Sequence, residues 1–302
     1  MTGVTCILNT AAGPGHGPAL VIDIQRLFAA AGTSATVVMA EDEAGITTQA
    51  REAVGRGHLA VAAGGDGTVN AVASTLAGSG AILGVLPLGT FNHFARDLGL
   101  PLDLAGAVAA VVNGRVQVVD VGEVNGQIFL NNSSLGFYPQ LVRSRVAQQR
   151  LGHRKWVARA MAAVTCLRHP LPLLVRLQLE GAEALTRRTP LLFVGNNHYS
   201  MTGPRMGGRA RLDGGRLWVC LAHEAGYAGL LGVLVRALAG DLRPEDLDMR
   251  DTASLRVEMA RHRVEVAWDG EVTTMRPPLD YRIRPGALRV MVPGPGTSMA
   301  AS

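Results

Sequence analysis

Along residues 1–121, short β-branched runs alternate with stretches whose apolar residues recur three and four apart. Residues 4–9 read as a strand. Pro18 suits a first helical turn, and Leu20, Ile24, Leu27, Phe28 and Ala31 line one helical face before Gly32 ends it. Residues 35–39 read as a second strand followed by a weaker helix to Ala53, and 59–63 as a third strand with a helix at 69–76. A fourth strand at 82–86 precedes a helix over 104–112 with Asp103 as its N-cap, and 116–121 closes the region. Strands alternating with helices predict a doubly wound, mostly parallel sheet covered on both faces. In such sheets ligands sit outside the carboxyl ends of the strands.

Beyond residue 121 the pattern changes to a period of two. Asn125-Gly126 lies between the stretches 121–124 and 127–131 and signals a hairpin. Further alternating stretches fall at 173–179, 191–195, 216–222, 254–259, 263–268 and 288–292. Helical patterns at 139–167 and 226–239 interrupt them. The expected organisation is an α/β domain over 1–121, a second domain of mostly antiparallel sheet over 122–292, and a disordered tail over 293–302.

Composition narrows the chemistry. The chain has 302 residues, 48% hydrophobic and 18% charged, enough to bury a large core. Of its 29 Lys and Arg, Lys155 is the only lysine, leaving 28 arginines. Lys155 stands in Gly152-His153-Arg154-Lys155-Trp156, which is neither a Gly-Lys-Ser/Thr run nor a kinase strand lysine, so P-loop NTPases and protein kinases are excluded. Three separate cysteines, Cys6, Cys166 and Cys220, give neither a disulfide framework nor zinc spacing and fit a reducing cytoplasm. The eight histidines show no metal spacing, and only His93 falls in a candidate site. No export signal or spanning apolar run is visible, so a cytoplasmic protein is expected.

The strongest chemical signal is Gly64-Gly65-Asp66-Gly67-Thr68-Val69-Asn70, which follows the third strand and opens a helix. Glycines let the backbone bring several N–H groups to an anion, and the helix N-terminus adds positive partial charge. Thr68 offers a hydroxyl to the same phosphate, and Asp66 can hold Mg²⁺ or orient an acceptor hydroxyl. Asn70 stands where the dinucleotide fingerprint needs its third glycine. Two more loops follow strand ends: Asn9-Thr10-Ala11-Ala12-Gly13-Pro14-Gly15 and Pro87-Leu88-Gly89-Thr90-Phe91-Asn92-His93. Either alone is an ordinary loop; three such loops on one rim predict a phosphate site.

Residues 64–68, 87–97 and Asp269-Gly270-Glu271 together resemble, in order, the three signature blocks of the diacylglycerol kinase catalytic-domain family. That family includes bacterial lipid kinases and the sphingosine and ceramide kinases. The Gly-Gly-Asp-Gly run is shared with NAD kinases; Pro-Leu-Gly-Thr-x-Asn favours the lipid branch. The resemblance implies a C-terminal β-sandwich and ATP between the two domains, with Mg²⁺ as cofactor. It places Asn9, Gly64, Gly65, Asp66, Gly67, Thr68, Val69, Asn70, Gly89, Thr90 and Asn92 at the nucleotide. Glu271, beside Asp269, becomes the acceptor of the lipid hydroxyl's proton, with Asp66 completing the catalytic set. In a nearly lysine-free chain, charge neutralisation falls to Mg²⁺, backbone N–H groups and arginines, Arg96 among them.

The sequence departs from the family at three places. The opening loop reads Asn9-Thr10 instead of Asn-Pro, and His93 replaces an aspartate after Asn92. Gly214 replaces the aspartate that helps hold a structural Mg²⁺ in relatives, leaving Asp213 as the residue that could substitute and the structural metal expected to be absent.

Partners are read more coarsely. Between Arg143 and Arg159 there are six basic and no acidic residues, with Trp156 among them. Such a stretch can lie on anionic headgroups at the inner face of the membrane or be a solvated face. No nucleic-acid signature is present. A lipid substrate met at a membrane surface is expected, and a homodimer stays open because oligomeric state leaves no mark here. The leading reading is an ATP-dependent lipid kinase. The alternatives are a kinase of a soluble acceptor such as NAD, and a nucleotide- or lipid-binding regulator without catalysis.

Overall fold

The structure, a computed structural model, describes residues 3–12, 16–136, 172–200, 207–222 and 247–294. The expected helices at 139–167 and 226–239, the basic stretch between Arg143 and Arg159, Cys166, residues 13–15 of the first loop and residues 295–302 of the expected tail lie outside the described residues. The chain packs as two units. One comprises 1–121 with 211–214 and 284–302, the other 122–210 with 215–283.

In the first unit, β1 (Val4–Asn9), β2 (Ala35–Ala40), β3 (Leu59–Gly64) and β4 (Ile82–Pro87) run parallel in the order β2-β1-β3-β4. The end of the last strand, β16 (Leu279–Val292), pairs in parallel with β4 through Arg289 and Val290. Helices α1 (Pro18–Ala30) and α5 (Leu104–Asn113) bury Ile24, Phe28, Ala107, Val108 and Val111 against Cys6, Leu8, Val61 and Ala63. Residues of opposite parity in the strands, Ile7, Ala60 and Ala62, are buried as well, and α2 (Glu43–Gly55) and α3 (Asp66–Leu76) pack on β1 and β3 with Ala50, Ala53, Val72 and Leu76 inward. Burying a side chain such as Ile24 or Phe28 stabilises by roughly 1.5–3 kcal/mol. The expected parallel α/β architecture is thus present, with its strand order turning back between β1 and β3.

The second unit is an antiparallel sandwich. Strand β5 (Arg115–Val124) turns through Asn125-Gly126, both at positive φ (46° and 86°), into β6 (Gln127–Phe129), the hairpin that the sequence signals. Strand β8 (Leu173–Leu179) lies between β9 (Leu185–Thr189) and β13 (Ser254–Glu258), and β13 pairs with the start of β16. The facing sheet runs β12 (Leu247–Thr252), β11 (Leu217–Ala222), β10 (Leu191–Asn196), β7 (Asn132–Gly136), β14 (Val264–Trp268), β15 (Glu271–Met275). Val175, Leu177 and Val257 from one sheet meet Leu135, Val194, Val219 and Val266 from the other in one core.

Several strands differ from expectation. The strand expected over 127–131 ends early, as β6 at Phe129, and after a bend at Leu130 and Asn131 a separate β7 begins at Asn132 in the other sheet. β9 and β12 are edge strands with polar, arginine-bearing sequences, and neither shows alternation. β16 is fourteen residues long and passes through Pro285-Gly286, a pair that reads as a break. There Gly286 takes φ +60° and its N–H donates to buried Asp120 (2.8 Å), whose own N–H donates to the Leu212 carbonyl (2.7 Å). No helix among the described residues is long and apolar enough to cross a membrane.

Replacing Asp120 by alanine removes the acceptor of the Gly286 N–H, and a hydrogen bond to a charged group contributes about 1.5–3 kcal/mol. The expected outcome is a lower thermal midpoint for Asp120→Ala, read by circular dichroism.

Candidate active site

The doubly wound order reverses between β1 and β3, and the chemistry-bearing loops stand there. Ligands of open α/β sheets bind at such a reversal, beyond the strand ends. Asn9 ends β1 and Gly64 ends β3, and the Asn9 side-chain amide donates across the gap to the Thr68 hydroxyl at 2.9 Å. The Asn9 Oδ1 accepts the Ala11 N–H (3.0 Å), and the ring of His16 meets the Asn9 carbonyl at 3.0 Å. Gly64 is required here because a Cβ would collide with the Thr68 side chain, which lies flat over it.

Helices α2 and α5 close their first turns with Asp42 and Asp103, each accepting a backbone N–H at 2.7 Å. Helix α3 starts on Gly65 with no side-chain cap, so its first-turn donors are left for another acceptor. Gly65, Asp66 and Gly67 are half-exposed, while Thr68, Val69 and Asn70 are buried. The Val69 N–H is used by the Gly65 carbonyl, and Asn70 Oδ1 accepts from Ser74. The exposed part of the motif is therefore 65–67, with the Thr68 hydroxyl below it.

The loop after β4 is built against the loop after β3. The Leu88 N–H donates to the Gly64 carbonyl, and a Cβ on Gly89 would lie 2.5 Å from the Gly65 Cα. Asn92 sits in the left-handed region (φ 51°), with its side chain turned into its own loop. Its Oδ1 accepts the Gly89 N–H (3.0 Å) and its amide donates to the Gly89 carbonyl (2.7 Å) and, at 3.3 Å, to that of Pro87. Asn92 thus shapes the loop that presents exposed Thr90. His93 opens the short helix α4 (His93–Asp97) and stacks in parallel on exposed Phe91, and the Arg96 Nε donates to the Phe91 carbonyl at 2.9 Å.

The remaining candidates, Asp269 and Glu271, belong to the second unit, at the β14–β15 turn. Asp269 has φ 45°, and its carboxylate accepts three backbone N–H groups, from Leu130 (2.6 Å), Asn131 (2.8 Å) and Asn132 (3.1 Å). Its own N–H donates to the Asn132 carbonyl. Burial pushes its pKa up, opposed by these three donors and by the charge of Arg209. Glu271 opens β15 and is exposed, paired across the ladder with Trp268. A carboxylate held by amides sits beside one facing solvent, and the two differ in what they can do.

One residue in this region escaped the sequence reading. Arg209 is only 3% exposed, yet it follows two glycines in a loop and no motif marks it. The buried thiols of Cys6 and Cys220 are pushed up to about 12 by burial, so neither is a thiolate nucleophile near neutral pH.

Metal fit differs between the two expected places. At the α3 rim Asp66 supplies one carboxylate, which suits a Mg²⁺ that arrives on phosphate oxygens. At Asp213 the carboxylate is bound to the Arg211 Nε at 3.0 Å, which holds its pKa below the usual value. No group of three or more His, Cys, Asp or Glu able to hold a metal occurs among the described residues. The 211–214 segment is instead held by buried Leu212 and its bond from Asp120.

The comparisons with known proteins follow this geometry. Residues 3–124 match the diacylglycerol kinase catalytic domain, and residues 138–292 match the YegS C-terminal NAD kinase beta sandwich-like domain. This chain belongs to the diacylglycerol kinase catalytic-domain family. It is 35% identical over 253 residues to a protein of Pseudomonas aeruginosa named "Probable lipid kinase YegS-like", covering 80% of this chain and 79% of that one. A "Diacylglycerol kinase" of Bacillus subtilis is 32% identical over 227 residues, covering 72% and 73%. The crystal structure of a diacylglycerol kinase from Bacillus anthracis shares the fold at a TM-score of 0.70, with 21% identity over 96% of this chain and 97% of that one.

Two outcomes follow. Gly89→Ala forces the two glycine loops apart and weakens MgATP binding tenfold or more, a change of about 1.4 kcal/mol or above, read by calorimetry. Because the 211–214 segment is pinned by protein groups, EDTA or added Mg²⁺ moves the melting temperature of the nucleotide-free protein by less than about 1 °C, where a structural metal would add stability by mass action.

Proposed function

We propose that this chain is an ATP-dependent lipid kinase that transfers the γ-phosphoryl group to the hydroxyl of a diacylglycerol-like or other long-chain lipid. The observation that carries the reading is the rim at the β1–β3 reversal: an uncapped helix N-terminus, the Asn9–Thr68 bond across the switch point and two interlocked glycine loops. Relatives named as lipid and diacylglycerol kinases supply the acceptor class.

Phosphoryl transfer asks a protein for positioning and charge neutralisation more than for covalent chemistry. The N–H groups at 65–67 and the hydroxyls of Thr68 and Thr90 hold the triphosphate. Asn9 keeps the Thr68 hydroxyl turned toward it. Asp66 holds Mg²⁺, which, when bound, neutralises charge on the phosphate oxygens. Glu271, exposed at the start of β15, takes the proton from the attacking lipid hydroxyl. Asp269 has a positioning role, since three amides engage its oxygens. The lipid is met from the aqueous side, at a membrane surface.

A positioned general base contributes about 10²–10⁴-fold. Glu271→Gln is therefore expected to lower kcat by on the order of 10²–10⁴-fold with MgATP affinity retained. Turnover equal to that of the unmodified chain would remove Glu271 from the base role.

A further inference from the structure

Among the described residues of the second unit, Arg209 is a buried cation with three acceptors, and no motif marks it. A guanidinium shielded from water is tolerated only where its donors are satisfied. Its Nη1 donates to the carbonyls of Leu130 (2.6 Å) and Asn196 (3.0 Å), its Nη2 donates to Asn131 Oδ1 (2.7 Å), and its plane lies 5.5 Å from the centre of the Tyr199 ring. The same two residues, Leu130 and Asn131, give their N–H groups to Asp269 from the other side of the chain. Asn196 adds a bond from its side-chain amide to the Leu130 carbonyl (2.8 Å), and the Tyr199 hydroxyl donates to the Asn131 carbonyl (3.0 Å). Segment 130–132 is therefore gripped on its carbonyl side by Arg209, Asn196 and Tyr199, and on its amide side by Asp269.

We propose that Arg209 is a positioning residue for catalysis: by fixing segment 130–132 it fixes Asp269, and through the two-residue turn Asp269-Gly270 it sets where the Glu271 carboxylate stands. This rests on the reading of Glu271 as the base. The fork geometry of the guanidinium matters, because one group reaches three acceptors at fixed angles. A lysine keeps the charge but satisfies fewer of these acceptors from a single point.

The test compares Arg209→Lys, Glu271→Gln and the double variant in the full-length chain, with MgATP affinity and circular dichroism measured beside kcat and KM. Displacing a reacting group by about 1 Å costs on the order of 10²-fold. Arg209→Lys is expected to lower kcat by that order while MgATP affinity stays within about twofold. In the Glu271→Gln background the same change is expected to add less than about threefold, since contacting residues that act as a unit are not additive. An equal loss in both backgrounds would make Arg209 merely structural, and an unaltered kcat in Arg209→Lys would overturn the proposal outright. Full turnover by Glu271→Gln would instead refute the base reading beneath it. Should Arg209→Lys fail to fold, Tyr199→Phe removes one bond to Asn131 and keeps the ring. It is expected to lower kcat several-fold in the parent and not in Glu271→Gln, and an unchanged parent kcat would overturn the proposal.

Discussion

One carboxylate, Asp269, holds the β14–β15 turn of the second unit in place. Its two oxygens accept three consecutive backbone N–H groups from a segment almost 140 residues earlier in the chain. Charge-assisted bonds to backbone donors are among the stronger hydrogen bonds a protein makes, and here three converge on one side chain. The strands that meet around it, β7, β10 and β14, are adjacent in one antiparallel sheet, so the bond set ties a strand start to a hairpin turn. Asp269 itself adopts positive φ, and Gly270 follows at +90°, which tightens the turn and brings Glu271 to the beginning of β15. Three amides hold the half-buried Asp269, while Glu271, two residues on, is exposed, so two acidic residues of one turn stand in different surroundings.

The first unit solves a different problem with different means. A chain with one lysine cannot cradle a triphosphate as a P-loop does. Its rim offers backbone dipoles and hydroxyls instead: an α3 N-terminus without a side-chain cap, and Thr68 held by Asn9. Glycine is needed for contact as much as for flexibility. Gly64 lies under Thr68, and Gly65 and Gly89 pack backbone against backbone. The positions are small because neighbouring chain segments occupy the space a Cβ would need.

Much of this was legible in the sequence, and the parts that were not share a cause. The four parallel strands and their helices declare themselves because each is a local pattern: short apolar runs, a helical face such as that of Leu20, Ile24, Leu27 and Phe28, and Asp103 opening its helix. The glycine loops were legible because backbone segments in close approach need small residues at fixed offsets. Arg209 was invisible because its partners, Leu130, Asn131 and Asn196, lie 79, 78 and 13 residues away. The task of Asn92 was equally hidden, since the sequence cannot say whether an amide faces a ligand or its own loop. The edge strands β9 and β12 lack alternation because most of their side chains, on both faces, are exposed or half-exposed. The last strand was expected only over 288–292, and β16 begins at Leu279; Pro285-Gly286 lies just past the point where β16 leaves one unit for the other.

Phosphoryl transfer from γ-labelled ATP with Mg²⁺ to a total lipid extract in mixed micelles, run beside tubes holding NAD or no acceptor, tests the lipid-kinase assignment most directly. The predicted result is a labelled, solvent-extractable product that appears only with lipid. A labelled product confined to the water-soluble NAD tube, or ATP binding by thermal shift with no phosphorylated lipid at all, would contradict it.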